Sequence, residues 1–185
     1  MHRLPHNAAL LLIDLRDGDG VPRGTARRNN PAMEEHVRQL VQAWRTSGRP
    51  VIPVDHTTRW PGAPLHYSAV VGTTLEGELA RRGIGTLVLT GLATDRCVST
   101  TARMAANLGF TTYVVADATA TFERLGPGGR RYCADDVHAI ALAELNGEFA
   151  TIVDTASVLA TLMAEPTLDR GGPQYAQTTA AVEEP

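Results

Sequence analysis

The segment TLVLTGLATDRCVSTTARMAANLG, residues 86–109, contains the pattern of a strand, a turn and a helix in direct succession. Its first five residues form an apolar run of the kind that builds a strand buried on both faces of a sheet. Gly91 begins a turn, and a helical pattern then extends from Val98 to Leu108 and ends at Gly109. Because a strand followed directly by a helix is the repeating unit of α/β proteins, this segment predicts a parallel sheet.

The same alternation extends in both directions along the chain. The other apolar runs predicted to be strands are Ala8–Ile13, Pro50–Val54, Thr111–Ala116 and Phe149–Val153. Four other helices are predicted. The first begins at Asn30-Pro31 and the second at the capping-box pattern Thr73-x-x-Glu76, while the third and fourth cover Val137–Leu145 and Ala156–Met163. Strands that alternate with helices predict a three-layer, doubly wound α/β domain, with helices on both faces of a parallel sheet.

The composition excludes several classes of protein. The chain has 185 residues and a formal net charge of −3, which argues against a nucleic-acid-binding protein, because such proteins usually carry a basic surface. Its two cysteines are too few for a disulfide scaffold, and the apolar run near the N-terminus is too short to cross a membrane. These features predict a cytoplasmic protein with a single domain, residues 1–164, and a polar C-terminal tail, residues 165–185. The tail composition predicts a segment that is disordered alone or packs on a neighbouring subunit.

Two reactive side chains come at the edge where α/β proteins bind ligands, beyond the carboxyl ends of the strands. Asp14 ends the first apolar run and is either a catalytic acid or base, or a loop residue that accepts backbone hydrogen bonds. Cys97 lies at a helix start, where free backbone N–H groups are expected to lower the thiol pKa and can bind an oxyanion. Cys97 is therefore a candidate nucleophile, and the alternative is a small cysteine that packs under the sheet.

Three segments in this order resemble the isochorismatase-like cysteine hydrolases, a superfamily that includes nicotinamidases, N-carbamoylsarcosine amidohydrolases and isochorismatases. The segments are AALLLID (8–14), YSAVVGTTLEGEL (67–79) and LVLTGLATDRCVSTTARMAANLGFTTYVVADATAT (87–121), and the resemblance extends over about residues 8–163. It implies that Asp14 is the general base and that Cys97 attacks a carbonyl to form a thioester, which water hydrolyses. It also implies a cis peptide bond between Leu92 and Ala93, with the N–H groups of Ala93 and Cys97 forming an oxyanion hole.

The chain departs from the family pattern at the third member of the catalytic triad. That residue is a lysine just before a Y-S-A-F element, whereas this chain contains no lysine and has Pro64 or a near neighbour at the position. The stretch before Tyr67 is also short, which implies loss of the edge strand that carries the lysine. The sheet order is then 2-1-3-4-5, with a sixth short edge strand as the alternative.

Without the lysine, another cation must offset the charges of Asp14 and Cys97. The candidates are Arg16, His56, Arg59 and His66. We favour His66 as the substitute in the catalytic set, because an imidazole can also relay a proton.

No metal and no cofactor are predicted. Nicotinamidase-type relatives bind a divalent metal through an Asp-x-His pair, whereas Asp55 and His56 are adjacent, so their side chains diverge in an extended chain. The predicted substrate-pocket residues are Arg16, His56, Arg59, Trp60, Tyr67 and Phe122. Asp117 and His138 match family positions and are predicted to brace the fold, and Cys133 is predicted to take no part in the chemistry.

Three functions are consistent with these residues. The favoured one is hydrolysis of a small amide, carbamoyl or lactam-like C–N bond through a thioester on Cys97. The second is an isochorismatase-type vinyl-ether hydrolysis, in which Asp14 acts as an acid and no nucleophile is needed. The third is a non-hydrolytic or pseudoenzyme relative that binds a small ligand. The predicted partners are a small-molecule substrate and further copies of the chain in a homodimer or homotetramer, with no nucleic acid and no membrane.

Overall fold

The computed structural model describes residues 4–15, 27–54, 67–70 and 73–164. The strands in this part of the chain are β1 (Ala9–Ile13), β2 (Val51–Val54), β3 (Thr86–Leu92), β4 (Thr111–Ala120), β5 (Arg124–Leu125), β6 (Arg131–Tyr132) and β7 (Thr151–Val153). The helices are α1 (Met33–Thr46), α2 (Leu75–Arg81), α3 (Ser99–Asn107), α4 (Ala134–Leu145) and α5 (Thr155–Met163). A π-helical turn, Thr94–Val98, connects β3 to α3 and is called the nucleophile turn below.

Five of the strands form one parallel sheet in the order β2-β1-β3-β4-β7. This confirms the predicted α/β class and the strand order 2-1-3-4-5, because β7 is the fifth strand of the sheet. β5 and β6 form a separate antiparallel hairpin, which the sequence does not predict because two-residue strands leave no periodic pattern. The stretch expected to hold a sixth edge strand, residues 55–66, and the tail, residues 165–185, lie outside the described residues.

Helices cover both faces of the sheet. On one face Leu11, Leu87 and Leu89 pack with residues of α2, α3 and α4. On the other face Leu10 and Val88 pack with residues of α1 and α5. Successive residues of a strand point to opposite faces, so burial on both faces explains the continuous apolar runs in the sequence. Among the described residues, no helix combines the length and the apolar character needed to cross a membrane.

The start of α1 differs from the prediction. The Asn30 side-chain amide donates to the carbonyl oxygens of Ala116 and Thr119, at 2.9 and 2.6 Å, and α1 begins at Met33 instead. Asn30 has a φ of +44°, a conformation that asparagine tolerates better than most residues. The Asn30 side chain, which the local sequence pattern predicts to cap the helix, therefore binds β4, a strand far away in sequence, instead.

The neighbouring strands β1 and β3 approach each other closely at their carboxyl ends. Gly91 pairs with Ile13 and has a φ of +110°. A Cβ atom at Gly91 would lie 2.0 Å from the Ile13 carbonyl oxygen, so no larger residue fits without moving one of the two strands. Asp14 follows Ile13 directly and has a φ of +50°. Gly91 therefore allows the close approach that brings the end of β1, with Asp14, beside the nucleophile turn.

Candidate active site

Asp14 and Cys97 meet at the carboxyl edge of the sheet. Asp14 follows β1, and Cys97 lies in the nucleophile turn that follows the neighbouring strand β3. The Cys97 thiol donates a hydrogen bond to the Asp14 carboxylate, and Cys97 is only 8% exposed. The structure thus brings together the two reactive side chains that the sequence predicts, a sulfur and a group able to take its proton.

Two backbone N–H groups, those of Ala93 and of Cys97 itself, donate to the Cys97 sulfur. Ala93 directly precedes the nucleophile turn, and its carbonyl oxygen accepts from the N–H groups of Arg96 and Val98 at 3.0 and 3.2 Å. The peptide bond between Leu92 and Ala93 is cis, which is the bond for which the family resemblance implies that geometry. A substrate oxygen bound next to the sulfur can accept hydrogen bonds from both N–H groups, which is the arrangement of an oxyanion hole.

The protonation state of Cys97 differs from the sequence expectation. Burial raises the pKa of the thiol to about 12, and the hydrogen bond to Asp14 and the charge of that carboxylate act in the same direction. The N–H groups of Ala93 and Cys97 lower the pKa, but they do not offset the other effects. The expected depression at a helix start is therefore wrong here, because burial and a like charge outweigh the backbone dipoles. At neutral pH the sulfur keeps its proton until a base removes it.

Asp95, also in the nucleophile turn, forms an ion pair with Arg124 of β5 and a hydrogen bond with Thr121, the residue after β4. Its carboxylate accepts from Nε and Nη2 of Arg124, both at 2.8 Å, and from the Thr121 hydroxyl. Burial raises the pKa of Asp95, but the bonds from Arg124 and Thr121 outweigh it and hold that pKa below the usual value. Both side chains of the pair are largely buried, at 18% and 23% exposure, so solvent screens this interaction less than a surface pair.

We expect Arg124→Gln to lower the free energy of unfolding at pH 7 by about 2 kcal/mol, because it leaves the Asp95 carboxylate without its cation. The pKa of Asp95 is lower in the folded state than in the unfolded state. The ion pair therefore contributes its full stabilisation to the folded state at pH values above the unfolded-state pKa of Asp95, which is about 4. This stabilisation is lost as the pH falls through the folded-state pKa. Urea unfolding of both proteins at pH 7 and at lower pH measures this difference, which should shrink with falling pH.

A difference that stays constant with pH would contradict this role of Asp95. Arg131→Gln is the matched control, because Arg131 forms a more exposed pair with Glu123 at 3.3 Å. We expect that substitution to change the free energy of unfolding by less than about 0.5 kcal/mol at any of these pH values.

Tyr67 is one of the two predicted pocket residues that the structure describes. It is 39% exposed and begins the segment 67–70, in which the Ala69 N–H donates to Oγ1 of Thr101 at 3.0 Å. Thr101 lies on α3 one turn after Cys97, so this bond holds the segment beside the first turn of that helix. Tyr67 is thus near the helix that follows the nucleophile, with its side chain partly open to solvent.

Phe122 is the other described pocket residue. It is 8% exposed and belongs to the apolar cluster that also includes Leu92 and Ala93, so it is part of the buried core on the face of the sheet covered by α1 and α5. The remaining predicted site residues, which lie outside the described residues, are Arg16, His56, Arg59, Trp60 and His66. Within the described ranges, no three His, Cys, Asp or Glu side chains are close enough together to hold a metal ion.

The two residues predicted to brace the fold, Asp117 and His138, both make buried or half-buried contacts. The Asp117 carboxylate accepts from the N–H and the hydroxyl of Thr155, at 2.9 and 2.8 Å, and so ties β4 to the start of α5. His138 contacts the nucleophile turn, with its Nδ1 atom 2.9 Å from Oγ1 of Thr94. Cys133 is exposed, and its sulfur accepts from the N–H of Asp136 at 3.4 Å as the N-cap of α4. The sequence does not predict this capping role, because cysteine is not among the residues preferred at a helix N-cap. It does not predict the ion pair of Arg124 either, because Asp95 lies 29 residues away along the chain.

The sequence and the fold both match those of known proteins. The family model described as the isochorismatase domain matches residues 64–157. An uncharacterized isochorismatase family protein of Bacillus subtilis is 36% identical over 172 residues, which cover 80% of this chain and 91% of that protein. A crystal structure of an isochorismatase-family protein from Chromobacterium violaceum has a TM-score of 0.77 and 34% identity, and the match covers 88% of this chain and 98% of that one. The ureidoacrylate amidohydrolase of Methylobacterium radiotolerans is 34% identical over 108 residues, which cover 56% of this chain and 38% of that enzyme.

Proposed function

Because this chain belongs to the isochorismatase family of hydrolases, we propose that it cleaves a small amide, carbamoyl or lactam-like C–N bond through a thioester on Cys97. Membership of the family confirms the resemblance found in the sequence. The observation that carries the proposal is the hydrogen bond from the Cys97 thiol to the Asp14 carboxylate, with two backbone N–H groups on the same sulfur. A nucleophile, a base and donors for an oxyanion are the groups that acyl transfer requires.

In the proposed acylation, the Cys97 thiol gives its proton to the Asp14 carboxylate as the sulfur attacks the substrate carbonyl carbon. The new C–S bond moves an electron pair onto the carbonyl oxygen, and the N–H groups of Ala93 and Cys97 donate to that oxygen. When the tetrahedral intermediate collapses, the C–N bond breaks and the leaving nitrogen takes the proton from Asp14. The raised pKa of Cys97 fits this order, because the proton stays on sulfur until the carbonyl arrives.

In the proposed deacylation, a water molecule attacks the thioester carbonyl and gives a proton to Asp14. The C–S bond then breaks, the sulfur regains its proton from Asp14, and the acid product leaves. A cation near Asp14 would stabilise its charge between these steps. Arg16, His56, Arg59 and His66 stay the candidates for that cation, with His66 favoured as the substitute for the family lysine.

The choice of a C–N bond is supported by the ureidoacrylate amidohydrolase among the matched proteins, although the match covers 38% of that enzyme. The small size of the substrate is supported by the burial of Cys97, which is only 8% exposed to solvent. The homodimer or homotetramer, the cytoplasmic location and the absence of a metal stay predictions from the sequence.

The proposal predicts a covalent acyl adduct on Cys97. The enzyme is incubated with p-nitrophenyl acetate, an activated carbonyl compound, and then with a panel of small amides and ureido acids. We expect a mass increase of one acetyl group on Cys97 and turnover of at least one amide. Cys97→Ala should lose both, whereas Cys133→Ser should keep both, because serine preserves the helix cap.

Other outcomes identify the alternatives. Turnover of a vinyl ether that survives Cys97→Ala but is lost in Asp14→Asn would support the vinyl-ether hydrolase. The absence of both an adduct and any turnover in the wild-type protein would support a ligand-binding relative without hydrolytic activity.

A further inference from the structure

Thr94, the first residue of the nucleophile turn, is fully buried and bound to α4. Its Oγ1 lies 2.9 Å from Nδ1 of His138. Thr94 directly follows Ala93, whose N–H faces the Cys97 sulfur, and it precedes Cys97 by three residues. The hydrogen bond therefore fixes the chain between the two backbone donors of the candidate oxyanion hole.

The neighbours of His138 define which ring nitrogen carries the proton. The carbonyl oxygen of Ala116 accepts a hydrogen bond from His138, and Nδ1 of the ring already faces Thr94. The ring nitrogen that donates to the Ala116 carbonyl oxygen is therefore Nε2, which carries the proton. Asn30 lies 3.4 Å from that nitrogen but uses its amide for the carbonyl oxygens of Ala116 and Thr119. This leaves Nδ1 as an acceptor, to which the Thr94 hydroxyl donates.

The charge state of His138 suits this arrangement. Burial lowers the pKa of His138, while the bond to the Ala116 carbonyl and the charges of Asp135 and Asp95 act in the opposite direction without offsetting burial. The imidazole is thus neutral at neutral pH and keeps an unprotonated Nδ1 for the Thr94 hydroxyl.

We propose that His138 is a positioning residue of the active site, which orients the N–H donors of Ala93 and Cys97 by accepting the Thr94 hydroxyl. This inference rests on the proposed function, because it assigns His138 a part in acylation beyond the bracing role predicted from the sequence. His138 acts through Thr94 and does not touch the substrate. A loss of this bond would let the turn shift, and a displacement of about 1 Å at a donor can cost up to about 100-fold in rate.

Two substitutions of His138 separate positioning from bracing. In His138→Asn, the side-chain oxygen can replace Nδ1 as the acceptor for Thr94, but the donor to Ala116 is lost. In His138→Gln, the side-chain amide can replace Nε2 as the donor to Ala116, but nothing accepts the Thr94 hydroxyl. Glutamine is also the better helix former, so bracing alone favours His138→Gln. Positioning favours His138→Asn, and the two roles therefore predict opposite rankings.

The readout is single-turnover acylation of Cys97 by p-nitrophenyl acetate, and its rate is measured from the absorbance of the p-nitrophenolate that acylation releases. In His138→Gln we expect the rate constant at saturation to fall at least about tenfold, with an unchanged half-saturating concentration, whereas His138→Asn stays within about threefold of wild type. Thr94→Val should show the same loss as His138→Gln, and Thr94→Ser should restore the rate. The double variant Thr94→Val/His138→Gln should lose no more than either single variant, because both remove one hydrogen bond.

His36→Gln is the matched control, because His36 is a second partly buried histidine, and its Nδ1 contacts the Asp117 carbonyl oxygen and not a residue of the nucleophile turn. We expect it to acylate like wild type. Equal acylation of wild type and His138→Gln would overturn the inference while leaving the proposed function intact. A larger loss of acylation in His138→Asn than in His138→Gln would overturn it in favour of bracing. Equal losses in the two variants, matched by equal falls in the thermal midpoint, would also overturn it, because positioning requires His138→Asn to stay the faster enzyme. No Cys97 adduct in the wild-type protein would overturn both proposals.

Discussion

Asp14→Asn is expected to lower the rate constant for Cys97 acylation by about 1000-fold, because the amide cannot take the thiol proton. Asparagine has nearly the same shape as aspartate and tolerates the φ of +50° found at this position, so the fold should be preserved. Single-turnover acylation by p-nitrophenyl acetate in a Cys133→Ser background measures the effect on Cys97 alone.

The same substitution should lower the pKa of Cys97. Burial is the larger cause of the raised pKa and stays, but the hydrogen bond to the Asp14 carboxylate and its negative charge are removed. Thiolate absorbance measured against pH reports this change. Slower acylation by a more acidic thiol would distinguish a base at Asp14 from a residue that merely shapes the site.

Asp154→Asn is the control for this pair of measurements. Asp154 is an exposed carboxylate that caps α5 by accepting from the Ser157 N–H at 2.7 Å, and asparagine caps a helix about as well. Neither the acylation rate nor the Cys97 pKa should change in this variant. An Asp14→Asn protein that acylates at the wild-type rate would contradict the assignment of Asp14 as the base.

Gly91→Ala is expected to lower the free energy of unfolding by about 4 kcal/mol. The added Cβ would lie 2.0 Å from the Ile13 carbonyl oxygen and 2.9 Å from its carbonyl carbon, and both atoms belong to the backbone of β1. A flexible side chain could turn away, but a central strand can only be displaced. The φ of +110° adds a cost of its own for any residue with a Cβ atom. Urea unfolding measures the loss.

Gly83→Ala separates these two costs. Gly83 also has a positive φ, +62°, but a Cβ there would meet no atom within 4 Å. We expect this variant to lose only about 1 kcal/mol, the usual cost of a left-handed conformation for alanine. The remaining loss in Gly91→Ala is then the cost of separating β1 from β3. Equal losses in the two variants would show that the close approach at Ile13 is not what Gly91 provides.

The effect of Gly91→Ala on the active site follows from the same contact. Asp14 is the residue after Ile13, so a displaced β1 would carry the carboxylate away from Cys97. We therefore expect the folded fraction of this variant to acylate more slowly than wild type. The sequence predicts Gly91 as the start of a turn, whereas the structure has it within β3, paired with Ile13.

The linear pattern of residues is sufficient for the architecture and for the reactive pair. Strands buried on both faces need apolar side chains at every position, so they appear as continuous runs such as TLVLT at residues 86–90. Parallel strands end at one edge, so Asp14 and Cys97, which each follow a strand, are brought to that edge whatever the details of packing. The family resemblance supplied their roles, which stay proposals, and the fold that it implied is confirmed.

The partners of several other polar side chains depend on the tertiary structure and cannot be predicted from the sequence. Asn30 bonds to β4 instead of capping a helix, Asp95 pairs with Arg124, and Thr94 bonds to His138 across a long sequence separation. Local periodicity carries no information about such contacts, because each depends on how two distant elements pack. The Cys97 pKa is set in the same way, since burial and a neighbouring carboxylate exist only once β1, β3 and the helices have assembled.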